Sequence, residues 1–128
     1  MKRRKRVNTI GIINVEGSTI ARKVDFPIYI GVGREVCVAA TKSFFHQTLN
    51  LIQFSTEVAE QKKSAPMELI EAIRSELREI PDQVQNIIDE NLEKCTELAK
   101  ILQDKTSLFL LGKRESMAIA KEAALKIK

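Results

Sequence analysis

Residues Val32–Phe45, VGREVCVAATKSFF, decide how the chain is read. They follow an apolar run, Phe26–Val32 (FPIYIGV), and lead into a helical pattern through Gln61. A strand, a glycine-containing turn, polar turn residues and then a helix is the order in which an open α/β sheet presents a ligand site, beyond the carboxyl ends of its strands. Backbone N–H groups left without partners at a helix start suit a phosphate or another anion. Thr41 is placed to cap that helix at the same point. A plainer reading stands beside this one: Gly31 and Gly33 only let the chain turn, because glycine is the default punctuation of a loop.

Upstream, Val7–Val15 (VNTIGIINV) is β-branched, apolar on both faces at its centre and too short for a helix, so it reads as a buried strand. Glu16-Gly17-Ser18-Thr19 is turn chemistry, and Ser18 or Thr19 is placed to cap a short helical turn through Arg22 or Lys23. Phe26–Val32 is the second strand, with Pro27 tolerated near its start. The intervening residues suit a crossover between parallel neighbours rather than a tight hairpin.

Downstream, Ala39 to about Lys63 is a helix with Phe44, Leu49, Leu51, Ile52, Phe54 and Val58 on a broad apolar side. Ser64-Ala-Pro66 breaks it. Three further helices follow: Met67–Glu79; one opening at Pro81 and running through Asp89; and Asn91–Gln103, with Leu92, Cys95, Leu98, Ala99 and Leu102 inward. Glu90 and Asn91 mark either a kink or a break. Thr106–Gly112 (TSLFLLG) reads as a third buried strand, and Ser116 as the cap of a last helix, Met117–Lys128. The fold class is therefore α/β, a parallel sheet flanked by helices. Three strands make a narrow sheet with open edges, which demand cover from another copy or a companion chain. The last strand and helix look like the opening of a new α/β unit, as though the chain were the middle of something larger.

Composition narrows the function classes. The 128 residues suit about one domain, and 44% hydrophobic content supports a packed core. With no Trp and one Tyr, base-stacking surfaces for single-stranded nucleic acid are disfavoured. The net charge of +4 is concentrated in Lys2-Arg3-Arg4-Lys5-Arg6, a localisation signal, a phosphate-contacting arm or a solvated chain end. His46 is the single histidine, and Cys37 and Cys95 form no CxxC pair, so neither a metal site nor a cofactor is expected. Both cysteines read as reduced core residues. No apolar stretch approaches the ~20 residues of a membrane span, and no signal-peptide core follows the basic start. A cytoplasmic setting is expected.

The segment INVEGSTIARKVDFPIYIGVGREVCVAATKSF resembles the sugar-isomerase (SIS) domain of the glutamine–fructose-6-phosphate aminotransferase family. Asn14, Val15, Gly17, Ser18, Thr19, Ile20, Arg22 and Asp25 match its first motif, and Glu35, Val38, Ala39, Thr41, Lys42 and Phe44 its second. Leu111-Gly112-Lys113 and Glu122–Lys128 (EAALKIK) are similar to its later motifs, so the likeness spans essentially the whole chain. The resemblance implies the second half of one SIS subdomain over residues 1–63, a helical connection over 64–105, and the first strand and helix of a second subdomain over 106–128. It implies glucosamine 6-phosphate synthesis from fructose 6-phosphate, with sugar ring opening, amination and an aldose–ketose proton shift, which needs a positioned acid or base.

The same resemblance implies a backbone contact from Val38 to the sugar and a proton-handling role for Lys126. Ala40 stands where the family has a sugar-contacting serine, Gly33-Arg34 replaces the usual Gly-Pro, and Cys37 replaces a glycine. The family's S-x-S-G-E-T phosphate loop falls before Met1 and its catalytic glutamate after Lys128, so the chain alone is expected to be inactive. Lys42 is either a partner for a ligand phosphate or a solvated lysine, and Lys126 without the resemblance is an exposed helix position. Two other classes stand beside the enzyme fragment: a non-catalytic SIS-like module that binds sugar phosphate or a partner subunit, and a basic nucleic-acid-associated helical protein.

Overall fold

The structure, a computed structural model, describes residues 7–36 and 40–127. The chain divides into two units, Met1–Pro66 and Met67–Lys128.

The first unit is built on two parallel strands, β1 (Ile10–Ile13) and β2 (Phe26–Tyr29), with Ile10 opposite Phe26 and Ile13 opposite Tyr29. The helix α1 (Thr41–Gln61) packs on β1. Ile13 and Ile30 are buried beside the strand ends. Gly11 permits a close approach inside β1: a Cβ there would lie 2.9 Å from Ile13 Cδ1 and 3.1 Å from Val24 Cγ1. The turn between the strands follows its sequence chemistry. The Ser18 hydroxyl accepts the Ala21 N–H at 3.2 Å, and Arg22 N–H reaches the Ser18 carbonyl at 3.1 Å, which makes the capped helical turn expected from Ser18. Asp25 ties the crossover to the start of β1. Its Oδ2 accepts both the Thr9 N–H and the Thr9 hydroxyl at 3.0 Å, while its own N–H donates back to Thr9.

Both strands are shorter than the apolar runs that contain them. Val7 and Val15 are exposed and outside β1. Ladder bonds, not apolar content, fix strand ends. α1 closes as the break at Ser64-Ala-Pro66 predicts: Lys63 turns to φ 52° and Ser64 N–H reaches the Ala59 carbonyl.

In the second unit, Met67–Leu102 is a single helix, α2, with Pro81 inside it, and α3 runs over Glu115–Ile127. This corrects the three-helix reading of this stretch. Proline suits a first helical turn, which made Pro81 look like a start. The apolar spacing instead continues across it, through Leu77, Ile80, Val84, Ile87 and Ile88, so the same face persists and the helix with it. The predicted third strand is also absent. Residues 106–112 form no strand, and the one sheet among the described residues is β1–β2. A strand needs a neighbouring ladder, and Phe109 and Leu111 are 87% and 91% exposed. Ser116 lies within the first turn of α3 rather than before it, so it is no N-cap. The side of α2 expected inward is open: Leu92 is 66% exposed, Leu98 and Leu102 are exposed, and so is Cys95, contrary to its reading as a core residue. Cys37 lies outside the described residues.

Candidate functional site at the strand ends

β1 and β2 run in the same direction, so both carboxyl ends open on one edge, the place where open α/β sheets present ligands. Ile30 N–H donates to the Ile13 carbonyl at 3.0 Å and extends the pairing one step past the strands. There the chain turns through Gly31 (φ 64°) and Gly33 (φ 72°), a region that favours glycine. The turning role of these glycines is therefore real. It also builds the site, because the Gly33 carbonyl accepts the Asn14 Nδ2–H at 2.7 Å. That bond fastens the loop after β2 to the residue that follows β1. The Asn14 Oδ1 is shielded and has no protein partner.

The start of α1 faces the same loop. Ala40 occupies the N-cap position and provides no side-chain bond. Thr41, expected to cap, is the first helical residue. Glu35 does the capping from outside the helix. Its Oε1 accepts the Lys42 N–H at 2.7 Å, and its Oε2 accepts the Ser43 N–H at 3.3 Å and the Ser43 hydroxyl. The Ser43 hydroxyl bond above all holds the Glu35 carboxyl below its ordinary value of 4.5; desolvation opposes it, and the Lys42 and Ser43 N–H groups and then the Lys42 ammonium each add a smaller lowering. Lys42 Nζ lies 3.4 Å from the Val32 carbonyl. His46 is half-exposed, with Nδ1 3.0 Å from the Lys42 carbonyl and its ring edge-on to Phe45.

On the face of the strands, Ile10, Ile12 and Ile28 together with Gln47, Leu51 and Phe54 of α1 line an apolar cavity of about 390 Å³. It contains one polar side chain, so it is an unfilled sheet face rather than a polar ligand site.

Of the residues singled out in the sequence, Ala40 and Lys42 gather here with Gly31 and Gly33. Val38 lies outside the described residues. Lys126 belongs to the second unit, on α3, where its ammonium pairs with Glu122 four residues earlier. Sequence reasoning missed Asn14 and Glu35 as organisers of the loop. The signal was present: a polar residue closing an apolar strand, and an acid shortly before a helix whose N-cap is alanine. Among the described residues no three His, Cys, Asp or Glu side chains stand close enough to hold a metal ion. No helix among them is long and apolar enough to cross a membrane.

Comparison with known proteins finds relatives by sequence. A probable glutamine–fructose-6-phosphate aminotransferase (isomerizing) of Acanthamoeba polyphaga mimivirus is 39% identical over 122 residues, which is 95% of this chain and 20% of that protein. The enzyme of the same name from Corynebacterium diphtheriae is 32% identical over 126 residues, 98% of this chain and 20% of its own length. The Homo sapiens glutamine–fructose-6-phosphate aminotransferase (isomerizing) 2 is 34% identical over 120 residues, 94% of this chain and 17% of its own length. No protein-family profile matches the chain. No solved structure matches it either. By sequence the chain is related, over nearly all of its length, to the glutamine–fructose-6-phosphate aminotransferases, and it spans about a fifth of the length of the relatives it matches.

Proposed function

We propose that this chain is a piece of the isomerase region of a glutamine-dependent fructose-6-phosphate aminotransferase, and that the edge formed by Asn14, the 31–36 loop and the start of α1 is one wall of its sugar-phosphate site. One observation carries the reading. Two attachments, the long-range one of Asn14 to Gly33 and the local one of Glu35 to Lys42 and Ser43, hold the loop at the strand ends, where this sheet type presents ligands. The names of the relatives supply the substrate class.

In this reading residues 1–63 are the second half of one SIS subdomain, 64–105 a helical connection, and 106–128 the opening of the next. Val38 contributes a backbone contact to the sugar, and Lys126 handles a proton during the shift between adjacent carbons. The uncovered side of α2 and the exposed 106–112 run are the surfaces that a companion chain or a second copy closes. The setting is cytoplasmic. In this reading the chain alone binds the sugar phosphate without turning it over.

The test has two parts: titration with fructose 6-phosphate, and a coupled assay for glucosamine 6-phosphate with ammonia supplied. Saturable binding without product is expected, and product formation by the pure chain overturns the inactivity. Ala40 favours a second reading, a non-catalytic SIS-like binding or subunit-interaction module, because the N-cap position has no hydroxyl for a sugar. Under that reading Ala40→Ser tightens sugar binding while turnover stays absent, even when a companion chain is supplied.

A further inference from the structure

We infer that residues 106–112 are a dimerisation strand, which pairs antiparallel with the same run of a second copy and sets Phe109 opposite Phe109 at the two-fold axis. The inference deepens one part of the function proposed above, that a companion chain or a second copy closes this run, and it is independent of the sugar-phosphate site.

The run TSLFLLG has no charge and no proline. Its side chains alternate. Thr106, Leu108 and Leu110 line a groove of about 440 Å³ with Ala124 and Ile127 of α3, while Phe109 and Leu111 are almost fully exposed. A period of two is that of an extended chain with one side covered. Among the described residues no hydrogen bond reaches the backbone N–H or carbonyl groups of 106–112; the neighbouring turns close at Lys105 and at Ser116. A run with strand composition, strand alternation and open ladder groups is a template for another strand.

The flanking charges choose the occupant. Residue 109 is the middle of the run, so antiparallel pairing about it keeps every residue from Thr106 to Gly112 opposite another of the run. Phe109 then meets Phe109 and Ser107 meets Leu111 on the exposed face, while Leu108 meets Leu110 on the face toward α3. The same pairing brings Asp104 of each copy to Arg114 of the other, which offsets the meeting of Lys105 with Lys113. A parallel, in-register pairing sets Asp104, Lys105, Lys113 and Arg114 each against its own like. The antiparallel pair is self-complementary, so it closes as a two-fold dimer.

The test uses the full chain with Cys37→Ser and Cys95→Ser, followed by sedimentation as its concentration rises and by oxidative crosslinking of single introduced cysteines. A concentration-dependent dimer is expected. Phe109→Lys sets two ammonium groups opposite each other at the axis and is expected to weaken the dimer about tenfold or more. Phe109→Cys is expected to crosslink to itself, because directly opposite Cα atoms lie about 4.5–5.5 Å apart, within disulfide range. Ser107→Cys is expected not to crosslink to itself, since its own copy lies about 14 Å away along the strand, but to crosslink with Leu111→Cys when the two chains are mixed. Circular dichroism reports whether the helices persist, and if Phe109→Lys disturbs them the crosslinks decide. A chain that stays monomeric overturns the inference. So does a dimer that a folded Phe109→Lys leaves intact, which forms through another surface, and so does self-crosslinking of Ser107→Cys, the mark of parallel pairing. Failure of fructose 6-phosphate to bind leaves the dimer standing, and a monomer leaves the sugar-phosphate reading standing.

Discussion

Replacing Pro81 by alanine is predicted to stabilise the second unit. Pro81 lies inside α2, fourteen residues past its first residue Met67, and has no N–H to give the Leu77 carbonyl. A proline in a helix interior costs ~3 kcal/mol relative to alanine, a figure that includes the missing hydrogen bond and the ring's clash with the preceding turn. The position is exposed, so the substitution removes little packing. A gain of about 2–3 kcal/mol is expected, which at roughly 4–8 °C per kcal/mol raises the unfolding midpoint of the second unit by at least about 8 °C. Thermal unfolding followed at the helical circular dichroism band measures it, with Asp82→Ala as a control for a neighbouring exposed site. Hydrogen exchange adds a local readout, since residue 81 gains a protected amide and its neighbours slow. If the variant is no more stable than the control, or less so, Pro81 opens a separate helix, where proline is favoured, and the continuous α2 is wrong.

Three further outcomes follow from local geometry. The folded-state pKa of Glu35 is depressed, so its contribution to α1 is fully present above the ordinary carboxylate value of 4.5 and is lost as pH falls through the lower folded value; the Lys42 and Ser43 amide shifts should be flat from pH 7 to 5 and move only below 4.5, and a midpoint at or above 4.5 contradicts the cap. Gly33→Ala forces a β-carbon into a left-handed conformation at a cost of roughly 1–2 kcal/mol, seen as a lower chemical-denaturation midpoint, and an unchanged midpoint means the loop turns differently. Cys95 is exposed, so it should alkylate in the native chain at a rate close to that in denaturant, as peptide mapping would show, and strong native protection would restore the core reading.

The parallel β1–β2 pair, the capped turn at Ser18, α1 with its break, and α3 were legible because each rests on local chemistry: β-branched runs, a hydroxyl at a cap, a proline after a helix. What failed depended on neighbours. The apolar run at 106–112 has strand composition, but a strand exists only beside another ladder. The inward face of α2 had the right spacing, yet Leu92 and Leu98 are uncovered. Pro81 was ambiguous by nature, since the residue is favoured at a helix start and tolerated inside when the apolar face continues across it. In the site, the motif positions Ala40 and Lys42 fall at the start of α1, beside the loop that follows β2. Thr41 looked like the cap because threonine is a capping residue, while the carboxylate of Glu35, five residues ahead of the N-cap in the chain, supplies the bonds.

The most direct test of the strand-end site is a titration of the chain with fructose 6-phosphate while the amides of Gly33, Lys42 and Ser43 are observed. Saturable, coincident shifts at these residues, with no glucosamine 6-phosphate formed when ammonia is present, are the predicted result. Silent amides at all three, with the fold intact, would contradict a sugar-phosphate wall at this edge.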